Sequence, residues 1–297
     1  MTTNAGFVGL GQPVEIGRID EALRQAWREE AARATAASES LAARTNVLNL
    51  IVHGSSTAEI AHVSAAIARL GVQHPSRTIL LLAERRQAGS ALEAWVNTNV
   101  QTLPGSDRRL LFEQVTIAAR GEAALHLPGV VDPLLLPELP DFLWWLGEPP
   151  FSEAGFTRMV DIVDRLIIDS AAFDHIDVGL RELAEMTIIP NGVGISDFAW
   201  DRLRPWRELI AQFFDPPEYA ASLGTIEEVI ITYEPPGAGL ASSGISEGIL
   251  ALGWACSRLG WLVGRRPTEE HPGAFRWQLN TSGRTVEVTL RPEHLDD

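Results

Sequence analysis

Residues 46–83 constrain the fold of this chain more than any other stretch, because they spell strand, helix, strand. Asn46 to Val52 is apolar and β-branched, the composition of a strand. The turn Gly54-Ser55-Ser56-Thr57 follows. Ser56 and Glu59 stand three residues apart, as in a capping box, so a helix is expected over Glu59–Leu70, closed by Gly71. Arg77 to Ala83 is the next strand. A unit of this length closes as a parallel crossover. Downstream text keeps alternating: a strand over Leu110–Ala119, a short helix over Gly121–Val131, a strand over Phe142–Leu146 and a helix over Glu153–Ile162. A strand over Arg165–Asp169 and a helix over Phe173–Met186 follow. The expected architecture is therefore α/β: a Rossmann-like mixed or parallel sheet with flanking helices. Ahead of it, residues 1–17 read as an extended arm. Arg18–Ala43 reads as a helix, with Ile19, Leu23 and Trp27 at i, i+4, i+8.

Pro190, Gly192 and Gly194 cluster between Thr187 and Ser196, and the pattern changes there. This divides the chain into an N-terminal α/β domain over residues 1–190 and a smaller C-terminal α+β domain over residues 191–297. The second domain opens with a helix over Phe198–Phe214, dense in Trp200, Leu203, Trp206, Leu209, Ile210, Phe213 and Phe214. Asp215-Pro216-Pro217 stops it. In so apolar a helix Trp206 is expected in the core. A strand over Ile226–Tyr233 and a helix over Ser243–Leu262 follow. The strands Phe275–Leu279 and Thr285–Leu290 are expected to pair as a hairpin across Ser282-Gly283, giving two helices on three strands.

Charge excludes several functions. With 24 basic against 39 acidic side chains the formal net charge is −15, which opposes nucleic-acid binding and adhesion to an anionic membrane. No apolar run reaches the ~20 residues of a membrane helix. Met1–Leu10 lacks the pattern of a secretory signal, so the sequon Asn280-Thr281-Ser282 carries no weight. Cys256 is the only cysteine in these residues and sits in apolar helical text, as a buried inert thiol would. A cytoplasmic location is expected.

The chemical motifs are sparse. Gly244-Ile245-Ser246-Glu247-Gly248 matches the letters of a nucleophile elbow, but that motif requires a sharp turn directly from strand to helix. Here a loop of about ten residues separates the strand from the helix, so Ser243 or Ser246 is expected to cap that helix instead. The loop Gly54, Ser55, Ser56, Thr57 lies at a helix N-terminus, where free amides can hold an anion. It lacks the lysine of a P-loop and the glycines of a dinucleotide fingerprint. The seven histidines show no metal-ligand spacing. Asp169-Ser170, at the carboxyl end of a strand, offers a ligand position, with capping as its ordinary reading. His74-Pro75-Ser76-Arg77-Thr78 is a restricted polar turn in which Arg77 either binds carbonyls and carboxylates or faces a partner. In the proline-rich stretch Leu134–Pro150, alternation puts Trp144 and Trp145 on opposite faces of a short strand. No catalytic residue, metal site or cofactor follows from these residues.

Five segments occur together in one order: Ala43-Arg44-Thr45-Asn46-Val47-Leu48-Asn49-Leu50; His74-Pro75-Ser76-Arg77-Thr78; Leu134 through Pro140 into Trp144-Trp145-x-Gly147-x-Pro149-Pro150; Asp164 through Ser170; and Asp197-x-Ala199-Trp200-x-Arg202-Leu203-x-Pro205-Trp206-Arg207. In this the chain resembles the glucose-6-phosphate dehydrogenase assembly protein family (OpcA) of cyanobacteria and actinobacteria, most closely over Ala43–Phe214. The resemblance implies a non-enzymatic partner of glucose-6-phosphate dehydrogenase that favours its active oligomer. It also implies redox control in photosynthetic relatives, which an internal disulfide cannot deliver with Cys256 alone. Side chains expected to contact such a partner are Arg44, His74, Arg77, Trp144, Trp145, Trp200 and Arg202, since tryptophan and arginine are over-represented at binding hot spots; Trp206 is a candidate on the same ground, with the core as its favoured place. The alternative is an enzyme or sensor that binds a sugar phosphate or nucleotide at Gly54–Thr57.

Overall fold

In a computed structural model the chain is described over residues 11–37, 46–102, 109–190, 192–235, 244–281 and 283–294. It divides into two compact units, Met1–Ile168 with Glu182–Ile195, and Asp169–Arg181 with Ser196–Asp297.

The first unit is built on an eight-stranded sheet. In chain order its elements are β1 (Gln12–Val14), α1 (Ile19–Ala36), β2 (Leu48–Gly54), α2 (Thr57–Gln73), β3 (Ser76–Glu84), β4 (Ser90–Thr102) and β5 (Arg109–Gly121). After these come α3 (Leu127–Val131), β6 (Asp141–Trp145), α4 (Ala154–Val160), β7 (Arg165–Ile168), α5 (Ile176–Thr187) and β8 (Gly194–Asp197). Residues 176–181 of α5 and 196–197 of β8 are counted in the second unit. The spatial order is β1-β4-β5-β3-β2-β6-β7-β8. Strands β5, β3, β2, β6 and β7 are parallel, while β4 runs antiparallel to β5 and β1 antiparallel to β4. The chain leaves β2 toward β3 and β5, then returns to lay β6 and β7 on the other side. Strand order therefore reverses between β2 and β6, the position at which open α/β sheets form their ligand crevice. This is the α/β class expected from the alternating strands and helices.

Local chemistry explains each piece. β2, β3 and β6 are central parallel strands, so both their faces are covered, and Ile51, Val52, Ile79, Leu81 and Leu143 are essentially inaccessible. Leu50 and Val52 pack with Ile60, Val63 and Ile67 of α2, which keep the i, i+3, i+7 spacing of one helix face. Trp144 joins that cluster, and Trp145 points the other way, onto His53 and the edge of Phe156 in α4. The two tryptophans thus sit on opposite faces, as strand alternation requires. Ser56 caps α2 by accepting from the Glu59 amide. The helix does not stop at Gly71: it runs to Gln73, and Gly71 is buried where a Cβ would lie 3.2 Å from the Phe112 ring. That glycine makes room for packing and terminates nothing.

β4 has no counterpart among the expected elements. Its text (Ser-Ala-Leu-Glu-Ala-Trp-Val-Asn-Thr-Asn-Val-Gln-Thr) is poor in large apolar residues, yet it pairs with β5 along its whole length. The arm expected to be extended supplies β1, which adds to β4. Gly11 allows the approach, since with φ +80° a Cβ there would lie 2.1 Å from the Val96 carbonyl oxygen.

Two buried polar residues pin distant segments to the sheet. Asn49 donates to the Leu136 carbonyl and to Asp141, and its own oxygen accepts from the Leu136 amide. It thereby fixes the proline-rich segment leading into β6. Arg77, 3% exposed, donates to Glu113 (3.1 Å), to Asp20 (3.2 Å) and to the Leu134 carbonyl (2.8 Å).

The second unit contains α6 (Phe198–Arg202), α7 (Arg204–Phe214), α8 (Pro217–Ala220), β9 (Glu228–Tyr233), α9 (Ile245–Leu259), β10 (Leu262–Val263), β11 (Thr268–His271), β12 (Ala274–Thr281) and β13 (Arg284–Pro292). Its sheet is ordered β10-β12-β13-β9, with β11 also on β12. β12 and β13 form the expected hairpin, Thr281 opposite Arg284, and β9 adds parallel to β13. Five strands replace the expected three, because β10 and β11 are short and β11 reads Thr-Glu-Glu-His, without an apolar face. The core joins Leu252 of α9 to Trp261, Leu279, Val286 and Val288. α9 ends where Gly260 turns left-handed at φ +66°. The single helix expected over 198–214 breaks at Leu203. Pro205 has no N–H to donate back to Asp201, so the run of helical bonds is interrupted and α7 starts afresh with Pro205 in its first turn.

Removing the Arg77 guanidinium strips the buried Glu113 carboxylate of its cation, at a cost of about 3–5 kcal/mol. In urea denaturation Arg77→Met is expected to lose that much, and adding Glu113→Leu to recover most of it. A single variant within 1 kcal/mol of wild type would show the pair is not structural.

Candidate functional site

The crevice at the strand reversal is occupied by the protein itself. His53, the penultimate residue of β2, stacks on Trp145, the last of β6, with ring centroids 3.6 Å apart and planes 10° from parallel. His53 is 8% exposed, and its Nδ1 has no hydrogen-bond partner among the described residues. Burial, and secondarily the nearby positive charge of Arg85, lower its pKa from 6.5 to about 3, so the ring is neutral. Arg85 is itself ion-paired with Glu153.

The Gly54–Thr57 loop follows directly. Its Ser55 amide donates to the Glu59 carboxylate at 2.7 Å, and the Ser55 hydroxyl donates to the other oxygen at 2.8 Å. A carboxylate of the chain thus holds the place an anion would take at this helix start. Glu59 was expected to return to the capping serine itself and reaches the residue before it instead. The β6 side is closed by the Leu146 amide donating to the His53 carbonyl. A concavity of about 860 Å³ lies elsewhere, lined by β1, α1 and β4. Its charges are partly self-paired, Arg18 with Glu21 and Arg33 with Glu30.

The expected contact residues of this unit fall in different environments. Arg77 is internal, serving the carbonyl and carboxylates named above. Trp145 is buried, Trp144 half-buried, and His74 exposed at the end of α2. Arg44 lies outside the described residues.

In the second unit, the segment from Asp197 to Arg207 builds one connected latch. Asp197 caps α6 through the Ala199 amide and accepts from both the amide (3.0 Å) and the hydroxyl (2.6 Å) of Ser170. Asp169 caps the turn at Ser170–Ala172, its ordinary reading, and takes a bidentate pair from Arg202. Arg202 also reaches Glu247 of α9, and these carboxylates hold its guanidinium firmly protonated. Arg207 lies over the Trp200 ring, 3.5 Å from its centroid, and donates to the Trp200 carbonyl.

The elbow-like string resolves the same way. Gly244 is the N-cap position of α9 and no side chain caps it. Ser246, expected to cap, is buried and donates to the Ser170 carbonyl. Gly248 lets α9 approach Leu290 of β13, 2.6 Å from where a Cβ would stand. Ser243 lies outside the described residues. Cys256 is half-buried on α9, and burial raises its thiol pKa.

The core position expected for Trp206 is not observed. Trp206 is 66% exposed, and no residue of α7 is buried. The apolar periodicity of α7 was legible, but periodicity says only that one face is apolar, not that the face is covered. Among the described residues no cluster of three or more His, Cys, Asp or Glu is placed to hold a metal ion, and no helix is long and apolar enough to cross a membrane.

Both units have known relatives. Residues 67–185 match the family described as the glucose-6-phosphate dehydrogenase subunit N-terminal domain, and residues 193–296 match the corresponding C-terminal domain. A putative OxPP cycle protein OpcA from Synechocystis sp. is 34% identical over 149 residues, covering 50% of this chain and 30% of that protein. The protein of that name from Nostoc punctiforme is 34% identical over 156 residues, 52% of this chain and 32% of that one. A third, from Synechococcus elongatus, is 28% identical over 193 residues, 65% of this chain and 41% of that one. The matched segment is thus less than half the length of each of these relatives.

The neutral, buried His53 sets a pH dependence. The unfolded chain binds its proton near pH 6.5, the folded chain only near pH 3. Stability from this group is present above about 6.5 and falls as pH drops between those values, by up to ~1.4 kcal/mol per unit. His53→Phe keeps an aromatic stack without the titration. Between pH 7 and 5 the wild type is expected to lose about 2 kcal/mol more than the variant in urea melts. Equal losses would show that His53 is protonated in the fold.

Proposed function

Because this chain belongs to the glucose-6-phosphate dehydrogenase assembly protein (OpcA) family, we propose that it is a non-enzymatic assembly factor and allosteric activator of glucose-6-phosphate dehydrogenase. It binds the active oligomer of that enzyme better than the inactive form, in the cytoplasm, at the entry to the oxidative pentose phosphate pathway. The observation that carries this reading is the match of both parts of the chain, 67–185 and 193–296, to domains described by that dehydrogenase's name. The relatives' designation as OxPP cycle proteins supports the same pathway.

The physics required is modest. A protein that binds one state of an enzyme more tightly shifts the population toward that state by the ratio of the two affinities. A tenfold shift takes ~1.4 kcal/mol of differential binding, within reach of one or two interfacial side chains. The self-filled crevice supports a binding role: the His53–Trp145 stack and the Glu59 carboxylate occupy the place where α/β sheets usually seat a substrate. A sugar phosphate or nucleotide would have to displace Glu59 from the Ser55 amide.

The test mixes the purified chain with the dehydrogenase of the same organism and follows particle mass and turnover together. Both are expected to rise with added protein and to saturate. No change in either across a wide range of ratios would remove the proposal. Thermal stabilisation by glucose 6-phosphate or NADP, with the dehydrogenase absent, would move the reading to a ligand-binding enzyme or sensor.

A further inference from the structure

The sheet of the second unit has two edges of opposite character. One edge is β10 and β11, both lying on β12. Val263 stands opposite Leu279 and Thr268 opposite Arg276, so Gly264-Arg265-Arg266-Pro267 faces only Trp277 and Gln278. The edge bulges there and carries two exposed arginines. Short pieces, a bulge, a proline and charge are the devices by which a sheet edge turns other strands away.

The other edge is β9, which has none of them. Glu228-Val229-Ile230-Ile231-Thr232-Tyr233 is rich in β-branched residues and holds neither proline nor a basic side chain. It pairs with β13 in one unbroken register, Glu228 to Tyr233 against Glu287 to Pro292. No strand lies beyond it among the described residues.

The backbone fixes which groups this leaves open. The Glu287 amide donates to the Glu227 carbonyl, and the Glu293 amide to the Tyr233 carbonyl. Along a strand, every second residue turns its N–H and C=O to the same neighbour. Residues 227, 229, 231 and 233 therefore serve β13. Glu228, Ile230 and Thr232 turn theirs outward, and all three are exposed. Their N–H and C=O groups have no partner among the described residues.

A second copy of β9 supplies the matching set. Run antiparallel about a two-fold axis, Ile230 meets Ile230 of the second copy and Glu228 meets its Thr232. The outward residues of both strands then exchange both bonds at each pair. On the open face, Ile230, 50% exposed, is covered by its counterpart. On the other face Val229 meets Ile231, two residues packed against the core of the unit, so that core continues across the join. No like charges stand opposite one another. The two copies of Glu228 lie roughly 14 Å apart along the ladder, beyond the Debye length of about 8 Å at physiological salt. The formal net charge of −15 on each chain opposes association at long range, a repulsion that salt removes.

We propose that β9 is a self-association edge. Two copies of this chain pair antiparallel through Glu228–Tyr233, with Ile230 on the two-fold axis, and join their five-stranded sheets into one. The pairing needs no dehydrogenase and is separable from the assembly-factor function.

Sedimentation equilibrium of the full chain alone, over a wide concentration range and at low and high salt, tests it. Wild type is expected to pass from the mass of one chain to that of two as concentration rises, and to do so earlier in high salt. Ile230→Lys and Ile230→Glu change an exposed residue that makes no backbone bond to β13. Each is expected to stay monomeric with an unchanged melting temperature, because the axis sets like charges directly opposite. Mixed in equal amounts, the two variants are expected to regain the dimer, lysine facing glutamate. Val263→Lys, on the bulged edge, is the control and is expected to dimerise like wild type. Wild type that remains monomeric throughout would overturn the proposal. So would a dimer that survives both Ile230 variants, an equal loss in Val263→Lys, or monomeric variants that fail to recombine. Monomeric wild type whose binding to the dehydrogenase is lost in Ile230→Lys would make another protein's strand the occupant and refute self-association.

Discussion

A parallel sheet is stable only when both its faces are covered, and the first unit is organised around that requirement. β2 carries apolar residues at successive positions because it has no solvent face to spare. The helix after it must lie on one face, and the chain must return to cover the other, which is why α2 and α4 receive Trp144 and Trp145 from opposite sides of one five-residue strand. Where two such strands part, an open sheet leaves a gap. Here the gap is closed by His53 lying flat on Trp145, and the helix start beside it is neutralised by Glu59. A fold that commonly presents a ligand crevice has its crevice filled with its own side chains.

Much of this was legible from the chain itself, and the failures are instructive. The strand–helix–strand unit, the Ser56 cap, the opposed tryptophans and the β12–β13 hairpin all rest on short-range rules of period two, period 3.6 or turn chemistry. Those rules act between neighbours, so the letters contain them. Arg77 finds its partners 36 and 57 residues away, and no local pattern distinguishes an arginine that will be buried from one that will face a partner. β4 was invisible for a related reason: its stability comes from pairing with β5 along its whole length, not from the hydrophobicity of its own side chains.

The candidate site divides along the same line. The Asp197–Arg207 string stood out as text, but its meaning came only with coordinates. Asp197 serves two backbone amides and a hydroxyl, Arg202 joins Asp169 to Glu247, and Arg207 lies over one face of Trp200, which stays 38% exposed. Trp206 reversed its expected role because an apolar helical stripe is the same signal whether it faces a core or a solvent-covered surface. What separates the two is the remainder of the fold, which no single helix encodes.

An uncovered α7 face sets a ceiling on how concentrated this protein can become. Molecules made in excess carry Trp206, Leu209 and Phe213 into water, where such stripes promote clumping and attract chaperones. Restrained synthesis then becomes a matter of colloidal hygiene as much as of regulation, and a host producing the chain in quantity would meet this cost first.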